Sequence, residues 1–222
     1  MSPKKLQERK GRMRRLLLVL RKLYPHPKMA LDFSNDWELF VSVVLSAQCT
    51  DKRVNLVTKK LFKKYRHFDD YVNAERKAFE QDIRSTGYYR SKAKHILTSA
   101  KLLKEQYAGK LPETMEELLT FPGVARKTAN ILLSVACGIT VGIPVDTHVR
   151  RFAYRFDLSS SLDPKKIEQD LMKLTPKKDW HSVTLRFIDY GRDYCPARKH
   201  DCLNHPLTKV WPQAADRWVK AK

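Results

Sequence analysis

Apolar side chains recur at helical spacing along most of this chain, and no long run alternates apolar with polar residues. In the first such stretch, residues 3–24, the side chains of Leu16, Leu20 and Leu23 fall on one face of a helix. Pro25 is expected to end that helix, because proline lacks the N–H group that a helix interior needs. Seven glycines in the whole chain leave few natural breaks. The pattern therefore predicts an all-α fold.

The same periodicity predicts further helices over residues 37–46, 51–65, 78–85, 91–109, 112–119, 126–137, 147–156, 164–174 and 180–190. The apolar run at 37–46 also fits a buried strand, but its length favours a helix. Capping residues mark several ends: Ser91 is expected to start a helix that Gly109 closes. Thr114 fits a capping box, and Asp146 and Asp163 fit N-caps.

The charge balance is strongly basic. The 222 residues contain 44 Lys and Arg against 24 Asp and Glu, a formal net charge of +20. At 42% hydrophobic residues the chain is not a disordered basic tail. A polyanion such as nucleic acid is the simplest partner, because clustered cations neutralise phosphates and release counterions. The alternative is a generic basic surface that only keeps the protein soluble.

Membrane and secreted classes do not fit the sequence. The apolar run at residues 16–20 is flanked by charges, too short for a span and unlike a signal peptide. Cysteine occurs only at Cys49, Cys137, Cys195 and Cys202, too few and too scattered for a disulfide scaffold. We expect a cytoplasmic prokaryotic protein without a membrane partner.

The most informative segment lies between residues 118 and 131. A tight turn at Pro122 and Gly123 joins two predicted helices, and the second helix begins with N–H groups that lack intrahelical partners. Such a helix start, with Arg126 and Lys127 beside it, can bind a phosphate group. The alternative is an ordinary helix–turn–helix corner.

Lys127 lies in the first turn of that second helix. The positive helix end and neighbouring Arg126 disfavour a protonated amine there, and partial burial would add to the effect. A neutral amine is a nucleophile that can form a Schiff base. Physics alone favours the other reading, a solvated lysine that touches phosphate.

Asp146 follows Lys127 by nineteen residues, at the start of a predicted helix. By position it is most simply a helix cap. A carboxylate near a phosphate site can instead stabilise positive charge on a sugar or move protons. An ion pair between the two side chains would hold the lysine protonated, so we expect them near one substrate without tight contact.

Five motifs occur in order and resemble the endonuclease III family, the bifunctional branch of the helix-hairpin-helix DNA glycosylases. The resemblance runs from about residue 10 to residue 202 and rests on residues 45–51 (LSAQCTD), 86–93 (TGYYRSKA), 121–130 (FPGVARKTAN), 145–148 (VDTH) and 191–199 (GRDYCPARK).

The resemblance implies a two-lobed all-α fold with DNA in the cleft between the lobes. One lobe is a helical barrel, here residues 35–145, and both chain ends, 1–34 and 146–222, form the other. A monomer would bind double-stranded DNA with a damaged, oxidised pyrimidine or an abasic site and flip the lesion out. Lys127 matches the nucleophile that attacks the sugar and forms a Schiff base before β-elimination, and Asp146 matches the assisting carboxylate.

The family's DNA contacts also transfer by position. Gln48 matches a polar wedge that fills the hole left by the flipped base. Gly123, Val124 and Ala125 match the hairpin that grips the DNA backbone. Further expected DNA contacts are Asp51, Tyr88, Arg90, Ser91, Lys92, Arg126, Thr128, His148, Arg198 and Lys199.

The C-terminal segment departs from the family pattern. The family usually holds a 4Fe–4S cluster on four cysteines spaced C-x6-C-x2-C-x5-C, and here the positions are Cys195, Cys202, His205 and Trp211. Because such a cluster requires soft thiolates, we expect no cluster and no metal. Hydrophobic packing in an irregular tail is expected to replace it. The alternative is zinc on Cys195, Cys202 and His205, with His200 as a further candidate.

Two substitutions bear on DNA binding. Ala125 stands where the hairpin usually has glycine, and a positive φ there would cost alanine about 1 kcal/mol. If only Gly123 needs a positive φ, the change is mild. Tyr88 replaces an aliphatic wedge, so it can stack on a base of the opposite strand, unless it only packs against the protein.

Two other functions compete with this reading. One is a mismatch-specific glycosylase that removes adenine, thymine or uracil, although adenine-specific relatives commonly lack the lysine and carry an added domain. The other is a non-catalytic helix-hairpin-helix DNA-binding protein. Such a module needs the hairpin but has no use for both Lys127 and Asp146.

Overall fold

The computed structural model describes residues 2–218, whose regular elements are all helical. In chain order they are α1 Pro3–Leu23, α2 Asp36–Leu45, α3 Asp51–Lys64, α4 Phe68–Val72, α5 Arg76–Asp82, α6 Tyr89–Tyr107, α7 Met115–Leu118, α8 Arg126–Val135, α9 Thr147–Arg155, α10 Pro164–Leu174, α11 Trp180–Asp193 and α12 Pro206–Val210. Single 3-10 turns cover Arg84–Thr86, Lys177–Asp179 and Pro212–Ala215. The all-α prediction is confirmed. None of the helices described is long and apolar enough to cross a membrane.

The chain folds into two compact units. The first joins residues 1–29 to the segment from Thr140 onward, and the second runs from Ala30 to Ile139. The sequence predicts a central unit of residues 35–145, so each observed boundary lies several residues earlier.

Local contacts explain both displacements. Ala30 joins the second unit because its carbonyl accepts a hydrogen bond from Asn55 Nδ2 of α3, at 2.8 Å. Ile143 is a fully buried member of the first unit's core. The neighbouring Pro144 carbonyl accepts a bond of 2.8 Å from Thr184 Oγ1 of α11. The Pro144 carbonyl is buried and would be costly to leave unpaired, whereas the bond at exposed Ala30 is a weaker local contact.

The core of the first unit is built on the apolar face of α1. Leu16 and Leu20 are fully buried there, as the periodicity predicts. The cluster also contains Phe152 of α9, whose ring centroid lies 5.4 Å from that of Phe187 and 5.5 Å from that of Tyr190. Both chain ends thereby contribute to one hydrophobic core.

The second unit is organised around α2, which is buried nearly all round. Its Trp37 stacks on Phe40 with ring centroids 5.1 Å apart, and Asn35 caps its first turn through a bond from Glu38 N. A helix that is apolar on all faces belongs inside a core. The preference for helix over strand at residues 37–46 is confirmed.

Several local predictions need correction. Ser91 is not an N-cap: α6 begins at Tyr89, after Tyr88 in the left-handed region. The short helix α4, in a region where no helix was predicted, packs through Phe68 against Trp37. The tail is also more regular than expected, because α12 and a 3-10 turn follow His205. A burial pattern of four or five residues is too short to reveal such helices in the sequence.

Candidate functional site

The turn between α7 and α8, called the hairpin below, contains one residue with a positive φ. Gly123 has φ +80°, whereas Ala125 has φ −93°. Alanine is therefore unstrained at position 125, and the milder of the two alternatives holds. Phe121 anchors the hairpin: its buried ring lies 6.2 Å from Phe40 and 5.7 Å from Tyr107, between ring centroids.

Helix α8 starts without a side-chain cap, because its N-cap residue is Ala125. Seven other helices receive such caps, from Ser2, Asn35, Thr50, Glu75, Thr114, Asp146 and Asp163. The first turn of a helix carries N–H groups with no intrahelical acceptor and a partial positive charge. Within residues 2–218 the N-cap of α8 supplies no capping side chain, so an external anion can take that position.

Lys127 occupies the first turn of α8 and is exposed. The condition of partial burial is not met, because the hairpin carries Lys127 on its solvent side. Arg126 and Thr128, next to it, are half-buried. Ala129 on the opposite face is fully buried, which fixes the rotation of the helix. An accessible amine can reach an incoming substrate.

His95 of α6 packs against the hairpin, a contact that the sequence analysis did not predict. A Cβ atom on Gly123 would collide with its ring at Nδ1. The other ring nitrogen, Nε2, lies 3.4 Å from Ser91 Oγ. Gly123 is thus required twice, for its positive φ and for this close approach. The spacing of Ser91 and His95, four residues apart on a helix, was the available sequence signal.

The side chain of Lys92 is turned inward, so it is not presented to DNA in the way that the sequence predicts. It is buried, and its Nζ donates to the carbonyls of Leu45 at 2.7 Å and Thr86 at 2.8 Å. Burial lowers the pKa of Lys92. The side chain joins the end of α2 to the turn before α6, so it holds the segments of Gln48 and Tyr88 in place.

Gln48 and Tyr88 are both exposed and both have a positive φ, at +52° and +49°. Tyr88 is 68% exposed, so the alternative that it only packs against the protein is wrong. Arg90, the second residue of α6, is exposed, with its guanidinium 5.6 Å from the centre of the Tyr89 ring. Non-glycine residues in the left-handed region are uncommon and often mark functional loops.

Asp51 and Val124, also predicted to contact DNA, belong to this unit as well. Asp51 is the first residue of α3 and is half-buried. Val124 is buried within the hairpin, so its side chain is not presented to solvent. The second unit thus brings the Gln48, Tyr88 and Gly123 segments together through Lys92 and His95.

Asp146 and His148 belong to the first unit. Asp146 caps α9, and its Oδ1 accepts a bond of 2.8 Å from Val149 N. His148 Nδ1 lies 3.3 Å from Arg151 Nη2. A Cβ atom on Gly191 would collide with the His148 ring, so this glycine permits the close packing of α9 on α11. Lys127 belongs to the second unit.

The tail that begins at Cys195 packs Leu207, Ala214 and Trp211 on the core of the first unit, in line with the expected hydrophobic packing, but it also surrounds a buried charge. Arg155 of α9 is 1% exposed and donates from Nη1 to Cys195 Sγ at 2.7 Å and from Nη2 to Cys202 Sγ at 2.8 Å. It also bonds the Ala214 carbonyl, and its guanidinium lies 3.9 Å from the Trp218 ring. Both thiols are buried and free of disulfides.

These residues do not fit a 4Fe–4S cluster. Only two of the four family positions carry thiols, and Arg155 lies at hydrogen-bond distance from both. Trp211, at the fourth position, offers an indole N–H that has no lone pair for iron. Its ring instead lies 4.3 Å from the Arg12 guanidinium. The loop residues Arg198 and Lys199 are exposed.

Comparison with known proteins gives consistent matches. Residues 41–177 match the HhH-GPD superfamily of base excision DNA repair proteins. Endonuclease III of Synechocystis is 44% identical over 95% of this chain and 96% of its own length. Endonuclease III of Bacillus subtilis is 42% identical over 88% and 89%. A solved structure of a trapped endonuclease III–DNA covalent intermediate superposes with a TM-score of 0.87 at 40% identity, covering 94% of this chain and 98% of that one.

Proposed function

This chain belongs to the HhH-GPD superfamily of base excision DNA repair proteins and, within it, to the endonuclease III family, and we propose that it removes damaged pyrimidines from double-stranded DNA. It is a bifunctional DNA glycosylase and abasic-site lyase. The assignment rests most on the hairpin, which combines an uncapped helix start with an exposed lysine in its first turn. A non-catalytic DNA-binding module would not need that lysine.

In the proposed reaction Lys127 is the nucleophile. Its neutral amine attacks C1′ of the deoxyribose as the bond from C1′ to the base breaks, and the base departs with the bonding electrons. Loss of the amine proton and ring opening give the Schiff base. Removal of a proton from C2′ then expels the 3′ phosphate, which cuts the strand. Arg126 and the start of α8 stabilise phosphate beside the reacting sugar.

Asp146 is proposed as the carboxylate that assists base departure. Its Oδ1 is held by Val149 N, so the side chain has a fixed orientation at the start of α9. A carboxylate in that role stabilises developing positive charge on the sugar and transfers protons. His148, Arg198 and Lys199 are proposed to contact DNA phosphates around it.

Lesion recognition is assigned to the second unit. Gln48 fills the gap left by the flipped base, and Tyr88 stacks on the opposite strand. Their exposure and left-handed backbone support these roles, because each side chain projects from a turn fixed by Lys92. We further propose a cytoplasmic monomer without an iron–sulfur cluster; the two missing thiols support that last point.

Borohydride trapping tests the role of Lys127. Wild-type protein is expected to form a covalent complex with duplexes that contain thymine glycol or an abasic site. Lys127→Gln is expected to abolish trapping and strand cleavage while duplex binding remains within about threefold. Lys110→Gln, an exposed lysine of the same unit, is the matched control and should behave as wild type.

The same assay separates the competing functions. Trapping that occurs only with an A·G or T·G mismatch would replace the proposed lesion with a mismatch. Binding without trapping or cleavage on any of these duplexes would contradict a lyase.

Asp146→Asn tests the carboxylate without removing the helix cap, because asparagine caps helices as well as aspartate does. Base release from thymine glycol is expected to fall by about 100-fold or more, with the thermal midpoint of unfolding nearly unchanged. Unchanged base release would leave Asp146 with its capping role alone.

A further inference from the structure

Three side chains with metal-binding chemistry converge in the tail, away from Lys127 and Asp146 in the sequence. They are Cys195, His200 and His205, and one ligand atom from each lies within 4.8 Å of the others. The two imidazole rings stack with centroids 5.1 Å apart. The sequence analysis names all three as zinc candidates together with Cys202, and the structure selects these three from the four.

Both imidazoles present a buried nitrogen without a partner. His200 Nε2 and His205 Nδ1 have no hydrogen bond to any residue within the described range 2–218. A buried polar atom left in that state costs free energy. Two such atoms in adjacent rings indicate a missing common partner. Because both are imidazole nitrogens beside a thiol, a cation that accepts their lone pairs satisfies them together.

The loop backbone prepares His200 for this role. Its Nδ1 lies 2.6 Å from the Arg198 carbonyl, which can only accept, so Nδ1 carries the proton and Nε2 carries the lone pair. Metal-binding histidines are commonly oriented in this way by a backbone carbonyl on the opposite ring nitrogen. The position of Cys195 is fixed differently, because Arg155 Nη1 donates to the sulfur atom itself.

We propose that the tail binds one zinc-class divalent ion through Cys195 Sγ, His200 Nε2 and His205 Nδ1. One thiolate and two imidazoles form a borderline-soft donor set that suits Zn²⁺ and disfavours Mg²⁺ or Ca²⁺. A tetrahedral zinc site holds such atoms about 3.3–3.6 Å apart, so the ligands close in by roughly 1 Å on binding. Cys195 releases its thiol proton to solvent when it binds. The fourth position belongs to water.

This site is different from the family's cluster and from the alternative set on Cys195, Cys202 and His205. Cys202 lies outside the convergent group, and its sulfur is held by Arg155 Nη2. A single ion here ties the end of α11 to the start of α12 across the intervening loop. We therefore expect the ion to stabilise the first unit and not to take part in the reaction.

Zinc titration of the reduced, chelator-treated full chain tests the proposal. Calorimetry is expected to show one equivalent of Zn²⁺ bound, and saturating Zn²⁺ to raise Tm by on the order of 5 °C. Co²⁺ in its place is expected to give the visible absorption of a tetrahedral site with a thiolate ligand. His200→Asn and His205→Asn should each weaken binding by at least about 100-fold. His26→Asn, an exposed histidine of the same unit, should bind as wild type does.

Circular dichroism of each histidine variant establishes that it is folded, and either variant alone carries the test. Wild-type protein that takes up no zinc overturns the proposal. Undiminished zinc binding in His200→Asn also overturns it, because the ligand set would then be the one that contains Cys202. About four irons per purified chain, with the absorption of an iron–sulfur cluster, overturns it as well.

Discussion

The hairpin and the tail use buried and exposed polar groups in opposite ways. In the hairpin, helix α8 begins without a side-chain cap and Lys127 projects into solvent. Against the tail, Arg155 of α9 is withdrawn from solvent and bonds two sulfurs and a carbonyl of tail residues. The hairpin keeps the family motif almost intact, whereas the tail has lost two of its four thiols.

This difference in hydrogen bonding distinguishes a binding region, the hairpin, from a structural region, the tail. Donors that a protein leaves unused are available to an outside partner, and a phosphate is the natural acceptor at a helix start. Donors that are fully used inside the protein hold segments together instead. A binding region therefore tolerates unpaired donors that solvent can reach. In a structural region, loss of one buried hydrogen-bond partner costs a large part of the folding free energy.

The largest expected effect is on the tail. Arg155→Met leaves the Ala214 carbonyl and two buried sulfurs without their donor, so we expect a loss of about 3–5 kcal/mol in unfolding free energy. Arg150→Met, an exposed arginine on the same helix, should change it by less than about 0.5 kcal/mol. Urea denaturation followed by far-UV circular dichroism measures both. Equal midpoints for the two variants would mean that the tail does not depend on the buried guanidinium.

Gly123→Ala breaks the hairpin by strain and by collision. A positive φ costs alanine about 1–2 kcal/mol, and the added Cβ meets the His95 ring. We expect at least tenfold weaker binding of an abasic-site duplex, measured by fluorescence anisotropy. Gly138→Ala is matched in φ, at +67°, but has nothing within 4 Å of the new Cβ. Equal losses in the two variants would show that the His95 contact has no part in DNA binding.

Asp157→Asn tests an ion network that reaches the tail through Arg217, whose Nη2 lies 3.9 Å from Asp157 Oδ1. Burial opposes ionisation of Asp157, but the Arg9 and Arg12 guanidiniums outweigh it and hold the pKa of this carboxyl below its usual value. Asparagine accepts the left-handed backbone at φ +43°, so the substitution removes mainly charge. We expect a loss of about 2 kcal/mol at pH 7.

The pH dependence of that loss follows from the sign of the shift. A lowered folded-state pKa stabilises the fold above the unfolded pKa, and the stabilisation disappears as pH falls through the folded value. The difference between wild type and Asp157→Asn should therefore shrink steadily in acid. Asp216→Asn, which replaces an exposed tail carboxyl, is the matched control variant. A constant difference down to the lowest pH at which the protein is folded would contradict the charge argument.

The smallest expected effect concerns the uncapped start of α8 in the hairpin. Ala125→Ser supplies the side-chain acceptor that α8 lacks, so it should stabilise the second unit by about 0.5–1 kcal/mol. The serine oxygen then competes with phosphate, and duplex affinity should fall by roughly two- to fivefold. Ala125→Gly provides no acceptor and should change affinity by less than about twofold. Stabilisation without loss of affinity would show that phosphate binds elsewhere on the hairpin.

Local interactions made several features readable from the sequence. The apolar spacing of α1 and α2, the caps at Thr114, Asp146 and Asp163, and the turn at Gly123 each depend on residues a few positions apart. The family motifs are local in the same sense, because each holds one turn or one helix start. Such features are encoded within a window of about ten residues, so the sequence by itself determined them.

The tertiary structure alone decided which charged side chains are buried. Lys92 and Lys127 both look like surface lysines near a motif, yet one joins two carbonyls inside the second unit and the other is exposed. Arg155 meets sulfurs forty and forty-seven residues away. Burial of a charge is favourable only when distant chain segments supply its partners. Those partners come together only in the folded protein, so no local pattern in the sequence could reveal them.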